Sequence, residues 1–275
     1  MYINKQKEKR MSENRERKFD LNKFHIDLRE GSSVGKTIAV MSGKGGVGKS
    51  SVSTILASEL SKKGYKVAVL DADITGPSIP KSFGLNENIR ATREGIMKPQ
   101  ETETGIKVVS INLILEDKTA PVIWRSSIVT NILKQFWTDV DWGEIDYMIV
   151  DMPPGTSDVP LTVFQSLPID GVVAVTTPQD LVGMVVEKSL NMAKMMGKKV
   201  LGIVENMSYF VAPDTGKKYN IFGEGSVDKI VEKFAIPAVA KMPINPEITK
   251  LIDQGKIEEI DGEALKDIIA SIESL

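Results

Sequence analysis

An octapeptide, Gly43-Lys44-Gly45-Gly46-Val47-Gly48-Lys49-Ser50, constrains this chain more than any other stretch. It fits G-x-x-x-x-G-K-[ST], and its neighbours give the match meaning. Thr37-Ile38-Ala39-Val40-Met41, just before it, is short, apolar and β-branched, as a strand buried on both faces must be. The segment from Ser50 to Lys63, just after it, carries Val52, Ile55, Leu56 and Leu60 on one side of a helix. Strand, glycine loop and helix in that order form a cradle for phosphate. Glycine lets the main chain approach oxygen atoms that a Cβ would hold off. Successive N–H groups and the helix N-terminus then face the anion with partial positive charge. Residues 43–50 together with Ser51 are the expected nucleotide-binding set. Lys49 is set against the β- and γ-phosphates, and the Ser50 hydroxyl is placed to ligate Mg²⁺. Spacing is what discriminates: Gly31-Ser32-Ser33-Val34-Gly35-Lys36-Thr37 also ends in G-K-T, but it is one residue short, has no strand before it, and reads as a linker.

Beyond the loop, strand and helix patterns alternate. Candidate strands are 66–70, 107–111, 145–150, 171–176, 200–205 and 237–240; candidate helices are 50–63, 127–140, 159–167, 181–196, 224–234, 245–254 and 262–274. Alternation on this scale predicts an α/β fold with a mainly parallel sheet and helices on both faces. Such a sheet binds ligands at the carboxyl ends of its strands. Two acidic motifs fall at such ends. Asp71-Ala72-Asp73 follows the second strand, and its paired carboxylates suit contact with Mg²⁺-bound water or orientation of an attacking water. Asp151-Met152-Pro153-Pro154-Gly155-Thr156 follows the run Tyr147 to Val150, where an aspartate closing a buried strand is the Walker-B arrangement. Metal contacts are therefore expected from Ser50, Asp71 and Asp151, the aspartates through water, and Gly155 is expected to bring a backbone N–H to the γ-phosphate. Lys44 has little room to act on its own loop's phosphates, and a reach across a two-fold interface, in the manner of an arginine finger, is the alternative.

Composition narrows the setting. Residues 1–36 read as a charged, disordered N-terminal tail before an ATPase domain over 37–275. The sole histidine, His25, lies in that tail with no second ligand nearby. A net charge of −2 gives no global field for nucleic acid or membrane, and no apolar run approaches the length of a span. The charged start lacks a signal core, so the cytoplasm is the expected compartment. The 275 residues include no cysteine, which excludes disulfides and thiolate ligation within this chain.

Several longer motifs carry a resemblance. The loop at 43–50, Asp71 to Pro80, Pro121-Val122-Ile123-Trp124-Arg125, Asp139 to Gly143, Asp151 to Thr156, Thr176-Thr177-Pro178-Gln179 and Val204 to Phe210 are similar to those of the Mrp (ApbC-like) ATPases. These belong to the deviant-Walker branch that also holds MinD and ParA. The resemblance runs from about Thr37 to the region of Ile257. It implies a P-loop NTPase fold and a nucleotide-sandwich homodimer that hydrolyses ATP with Mg²⁺. It also implies carriage or assembly of iron–sulfur clusters for apoprotein targets. The catalytic set it implies is Lys44, Lys49 and Asp73, with Asp73 positioning the attacking water and Lys44 acting across the dimer. Asn206 would read the adenine edge, and an Asn amide matches adenine's N6 donor and N7 acceptor together. In that family a Cys-x-x-Cys pair follows the Val204–Phe210 motif. Here Val211-Ala212-Pro213-Asp214-Thr215-Gly216 follows, so the two expected iron–sulfur ligand positions hold Ala212 and Thr215. The leading expectation is a dimeric Mg²⁺-dependent ATPase of iron–sulfur cluster assembly, working on apoproteins or beside a cysteine-bearing paralogue. The alternative is an ATP-gated interaction or regulatory module of the ParA/MinD kind, acting on a protein, DNA or membrane partner.

Overall fold

The computed structural model describes residues 27–275, apart from 74, 75, 77, 115–125 and 157; the side chains of 112, 126–130 and 180–184 are likewise outside the description. The tail up to residue 26, with His25, and the motif at 121–125 thus lie outside the described residues. Nine strands form the sheet among the described residues: β1 (Ser33–Ser42), β2 (Val67–Asp71), β3 (Gln100–Glu101), β4 (Lys107–Ser110), β5 (Glu144–Asp151), β6 (Gly171–Thr176), β7 (Lys199–Val211), β8 (Lys218–Tyr219) and β9 (Val239–Pro243). Their spatial order is β3-β4-β2-β5-β1-β6-β7-β8, with β9 also paired to β7. All pairings are parallel except the two short ones, β3 with β4 and β8 with the far end of β7. The α-helices are α1 (Lys49–Lys62), α2 (Ile79–Ser82), α3 (Ser126–Thr138), α4 (Asp158–Ser166), α5 (Asp180–Met195), α6 (Val227–Phe234), α7 (Pro246–Gln254) and α8 (Lys266–Glu273).

The central strands are continuous apolar runs because helices cover both faces of a parallel sheet. Every residue of β2 and β6 is buried, as are the last six of β1. β1 lies between β5 and β6, with Ile38 opposite Ile149 on one side and Gly171 on the other. Close approach of the chains is built in at Gly171, where a Cβ would sit 2.4 Å from the Leu201 side chain. α1 is buried nearly all round although it is rich in serine and threonine. Small side chains let it lie close to the sheet, and its hydroxyls bond back to the helix: Thr54 to the Ser51 carbonyl at 2.9 Å and Ser58 to the Thr54 carbonyl at 2.8 Å.

The sheet departs from the sequence reading in two places. β1 begins at Ser33, so most of the segment read as a linker is strand, paired with Glu144 to Tyr147 of β5. Its alternating exposure concealed it: only the later residues are apolar. β7 runs on to Val211 rather than ending at Glu205, through an irregularity between Glu205 and Tyr209. The remaining predicted strands and helices appear with ends shifted by a few residues, and the short elements α2, β3 and β8 are additional. Replacing Ile38, which is fully buried at the centre of the sheet, by alanine is expected to cost about 2–5 kcal/mol. The check is a lower urea midpoint with an unchanged slope; an unaltered midpoint would contradict the packing described.

Candidate nucleotide-binding site

The predicted residues converge where β1, β2 and β5 end. A cleft of about 380 Å³ opens there, lined by Ser42, Lys44, Gly45, Gly46, Gly48, Lys49, Ser50, Ser51, Asp73, Gly76, Ser78 and Pro154. Gly46 and Gly48 take φ of 80° and 83°, a left-handed conformation that side chains resist. Gly48 is the cap of α1, with no side chain satisfying the helix N–H groups and no acidic residue in the first turn. The first turn therefore presents its N–H groups to an anion. Gly43 is required for a different reason: a Cβ there would lie 2.7 Å from the Val185 main chain of α5.

Asp151 organises the cationic side of the cleft. It is fully buried and accepts from Lys49 Nζ at 2.7 Å, Ser50 Oγ at 2.6 Å and Ser53 Oγ at 2.6 Å. Lys49 also lies 3.5 Å from Asp73. Lys49, Ser50, Asp73 and Asp151 are thus brought together as expected from sequence. Ser53 is an additional member. Its signal was its place one helical turn after Lys49, on the face that meets the sheet. Asp71 stands beside Asp151 across the β2–β5 pairing and accepts from Ser110 Oγ at 2.9 Å and from the Asp73 N–H at 3.1 Å.

Hard oxygen donors fit Mg²⁺, which takes one or two protein oxygens and completes its shell with phosphate and water. The Ser50 hydroxyl and the Asp151 carboxylate, in contact with each other, are such donors. Among the described residues, no group of three or more His, Cys, Asp or Glu is placed to hold a metal ion by itself.

Two residues bond elsewhere. Gly155 has the predicted left-handed conformation, φ 87°, but its N–H donates to the Ser42 carbonyl at 2.9 Å instead of facing the cleft. It braces the loop's entry strand, and Pro154 lines the cleft in its stead. Lys44 is exposed at the edge of the cleft, and its Nζ donates to Gln179 Oε1 at 3.0 Å. Asn206, at the opposite flank, donates from Nδ2 to the Val47 carbonyl at 3.0 Å and accepts from the Met207 N–H at 2.9 Å. One amide hydrogen and one lone pair remain, which is the pair an adenine edge requires. The contact is close: a Cβ on Gly48 would sit 2.1 Å from Asn206 Nδ2. The two positions where cysteines were expected lie in the turn between β7 and β8. Ala212 bonds through its main chain to Lys217 and Gly216, and Thr215 is exposed.

A parallel sheet with a glycine loop after its central strand, a lysine in the cleft and aspartates closing the adjacent strands defines a P-loop NTPase. A family profile described as ParA, NUBPL iron-transfer P-loop NTPase, matches residues 33–274. The chain belongs to that family. It is 48% identical over 238 residues to the iron-sulfur cluster carrier protein of Clostridium perfringens, covering 84% of each chain. It is 44% identical to the cytosolic Fe-S cluster assembly factor CFD1 of Saccharomyces cerevisiae, covering 78% of this chain and 76% of that one. The nucleotide-binding protein from Archaeoglobus fulgidus, solved in complex with ADP, superposes with a TM-score of 0.76 at 42% identity, covering 85% of this chain and 91% of that one. The MinD cell division ATPase of Pyrococcus furiosus, at 20% identity and a TM-score of 0.63, shares the fold. No helix among the described residues is long and apolar enough to cross a membrane.

The Asp71 carboxyl is pushed up to about 8, first by burial and then by the neighbouring Asp151, against the opposing pull of Ser110 and Lys49. A carboxyl whose folded pKa lies above its unfolded value keeps its proton in the folded state. Its stabilising share is full below the ordinary carboxylate range and is lost as pH rises through about 8. Without nucleotide or magnesium, the Tm of the wild type is expected to fall relative to Asp71→Asn between about pH 4 and about pH 8 and then to level off. Parallel profiles would show that Asp71 is not the titrating group.

Proposed function

We propose that this protein is a dimeric Mg²⁺-dependent ATPase that drives iron–sulfur cluster assembly or transfer to apoproteins, with cluster thiolates supplied by another polypeptide. The observation that carries the catalytic part is the convergence of Lys49, Ser50, Asp73 and Asp151 on the glycine loop. The family, whose relatives are cluster carriers and assembly factors, supports the role. The absence of cysteine from all 275 residues assigns the thiolates elsewhere, since neither Ala212 nor Thr215 replaces a thiolate on iron.

The nucleotide lies with its phosphates on the N–H groups of residues 43–50, and Asn206 faces the adenine. Lys49 leaves its tight pairing with Asp151 for the β/γ-phosphate oxygens. Ser50, with Asp71 and Asp151 through water, would hold Mg²⁺, which would neutralise charge on the phosphates. Asp73, at the mouth of the cleft, orients the attacking water. Lys44, exposed at the edge of the cleft, meets the nucleotide of a second copy. This geometry makes hydrolysis depend on pairing, so ATP times an assembly step.

Three substitutions separate these roles. Lys49→Ala is expected to abolish ATP binding and turnover. Lys44→Ala and Asp73→Asn are expected to bind nucleotide with near-normal affinity, with hydrolysis slowed about 10³-fold or more in Lys44→Ala, as for other charges supplied in trans. Calorimetry and phosphate release measure both quantities; undiminished turnover in Lys49→Ala would remove the site.

A separate measurement addresses the cargo. After anaerobic treatment with iron and sulfide, the purified chain alone is expected to stay colourless and free of stoichiometric iron. Tight iron with cluster absorbance would place the ligands in this chain and overturn the thiolate assignment.

A further inference from the structure

Glu205 is buried to 1% exposure and is the last residue of β7 paired to both β6 and β9 before the bulge. Its Oε2 is the one buried side-chain polar atom among the described residues without a hydrogen-bond partner. Leaving a buried polar group unsatisfied is costly, more so when it is charged, so its retention calls for a compensating role.

The local geometry supplies one. β7 is paired with both β6 and β9 up to Glu205, and its pairing with β9 then slips before resuming at Tyr209. Within the slip Met207 takes φ 54°, in the left-handed region unfavourable to a side chain. In a regular strand, residues three apart point to opposite faces. Here Ser208 is turned back, and its Oγ donates to Glu205 Oε1 at 2.6 Å. That bond closes the bulge across Asn206 and Met207. It leaves Asn206 projecting toward the glycine loop, tied to the Val47 carbonyl. The other carboxylate oxygen is pressed against Gly225, where a Cβ would sit 2.4 Å away, so the side chain has no room to swing out.

We infer that Glu205, acting through Ser208, is the positioning residue for Asn206 and thereby sets how strongly the site prefers a nucleotide over its bare phosphates. The inference rests on the nucleotide reading given above and deepens it. A bulge without its latch relaxes toward regular strand, relieves Met207 and swings Asn206 away from Val47. The phosphate cradle, built from β1 and α1, is left intact. Base recognition is lost while phosphate affinity is kept.

The test is calorimetric titration of the full chain with ADP and with inorganic tripolyphosphate. Ser208→Ala deletes the donor with little disturbance, whereas Glu205→Ala also opens a cavity. Ser208→Ala is expected to weaken ADP about tenfold and leave tripolyphosphate unchanged. Glu205→Gln, whose amide oxygen still accepts from Ser208, is expected to stay close to wild type. In an Asn206→Ala background, Ser208→Ala is expected to add no further loss, because both act through one contact. Equal weakening of both ligands by Ser208→Ala, an unchanged ADP affinity, or full additivity with Asn206→Ala would overturn the inference. A wild type that binds tripolyphosphate as well as ADP would overturn it too while leaving the phosphate site standing. A wild type that binds neither would overturn the nucleotide reading itself.

Discussion

The carboxylate of Asp151 ties the glycine loop to the sheet. Its two oxygens receive three donors, all from the first two turns of α1, and no solvent reaches it. Burying a lysine and a carboxylate together costs on the order of several kcal/mol per ion, and their attraction only roughly offsets that cost. Stability alone therefore does not account for the pair. Its value is positional: strand β5 fixes Asp151, Asp151 fixes Lys49 and Ser50, and α1 enters the cleft at one angle. Asp71 on the adjacent strand is pushed toward its protonated form, first by its burial and then by Asp151 beside it.

β7 is the second structural link, and it works at the other end of the cleft. It pairs with three strands, β6, β8 and β9. The bulge at Asn206–Ser208 divides it into a core half, locked in the sheet, and an outer half that carries the hairpin. Asn206 sits at the division and touches the loop through Val47. A shift of the loop around phosphate and a shift of the hairpin therefore pass through the same few residues. This is a contiguous connection between the glycine loop and the hairpin.

Legibility from sequence followed the range of the interactions. The loop, β1 and α1 were readable because their signals are local: periodicity, glycine spacing and a lysine before a serine. The aspartates were readable because each closes an apolar run. Ser53 and Ser110 escaped because a serine looks alike whether it faces water or a buried carboxylate; tertiary placement decides. The first residues of β1 escaped because an edge of exposed polar positions in Ser33 to Lys36 hides a strand that depends on pairing with β5. The true length of β7 escaped because the bulge breaks its alternation at Met207. The direction of the Gly155 N–H was misjudged since a backbone donor near phosphate and a backbone donor to Ser42 read alike as a glycine after two prolines.

The hairpin makes the division of labour physically coherent. Val211, Tyr219, Ile221 and Phe222 are exposed around it, while Ala212 and Thr215 offer iron nothing. Cluster ligation needs thiolates, but timing needs only a phosphate-sensing loop joined to a surface that changes with it. These two requirements rest on different atoms. One chain can lose the first while keeping the second, provided another polypeptide presents the sulfur. What this chain retains is the part no thiolate can supply: a glycine-loop cradle at the end of β1, the exposed Lys44 beside it, and a strand that joins the loop through Asn206 to the hairpin.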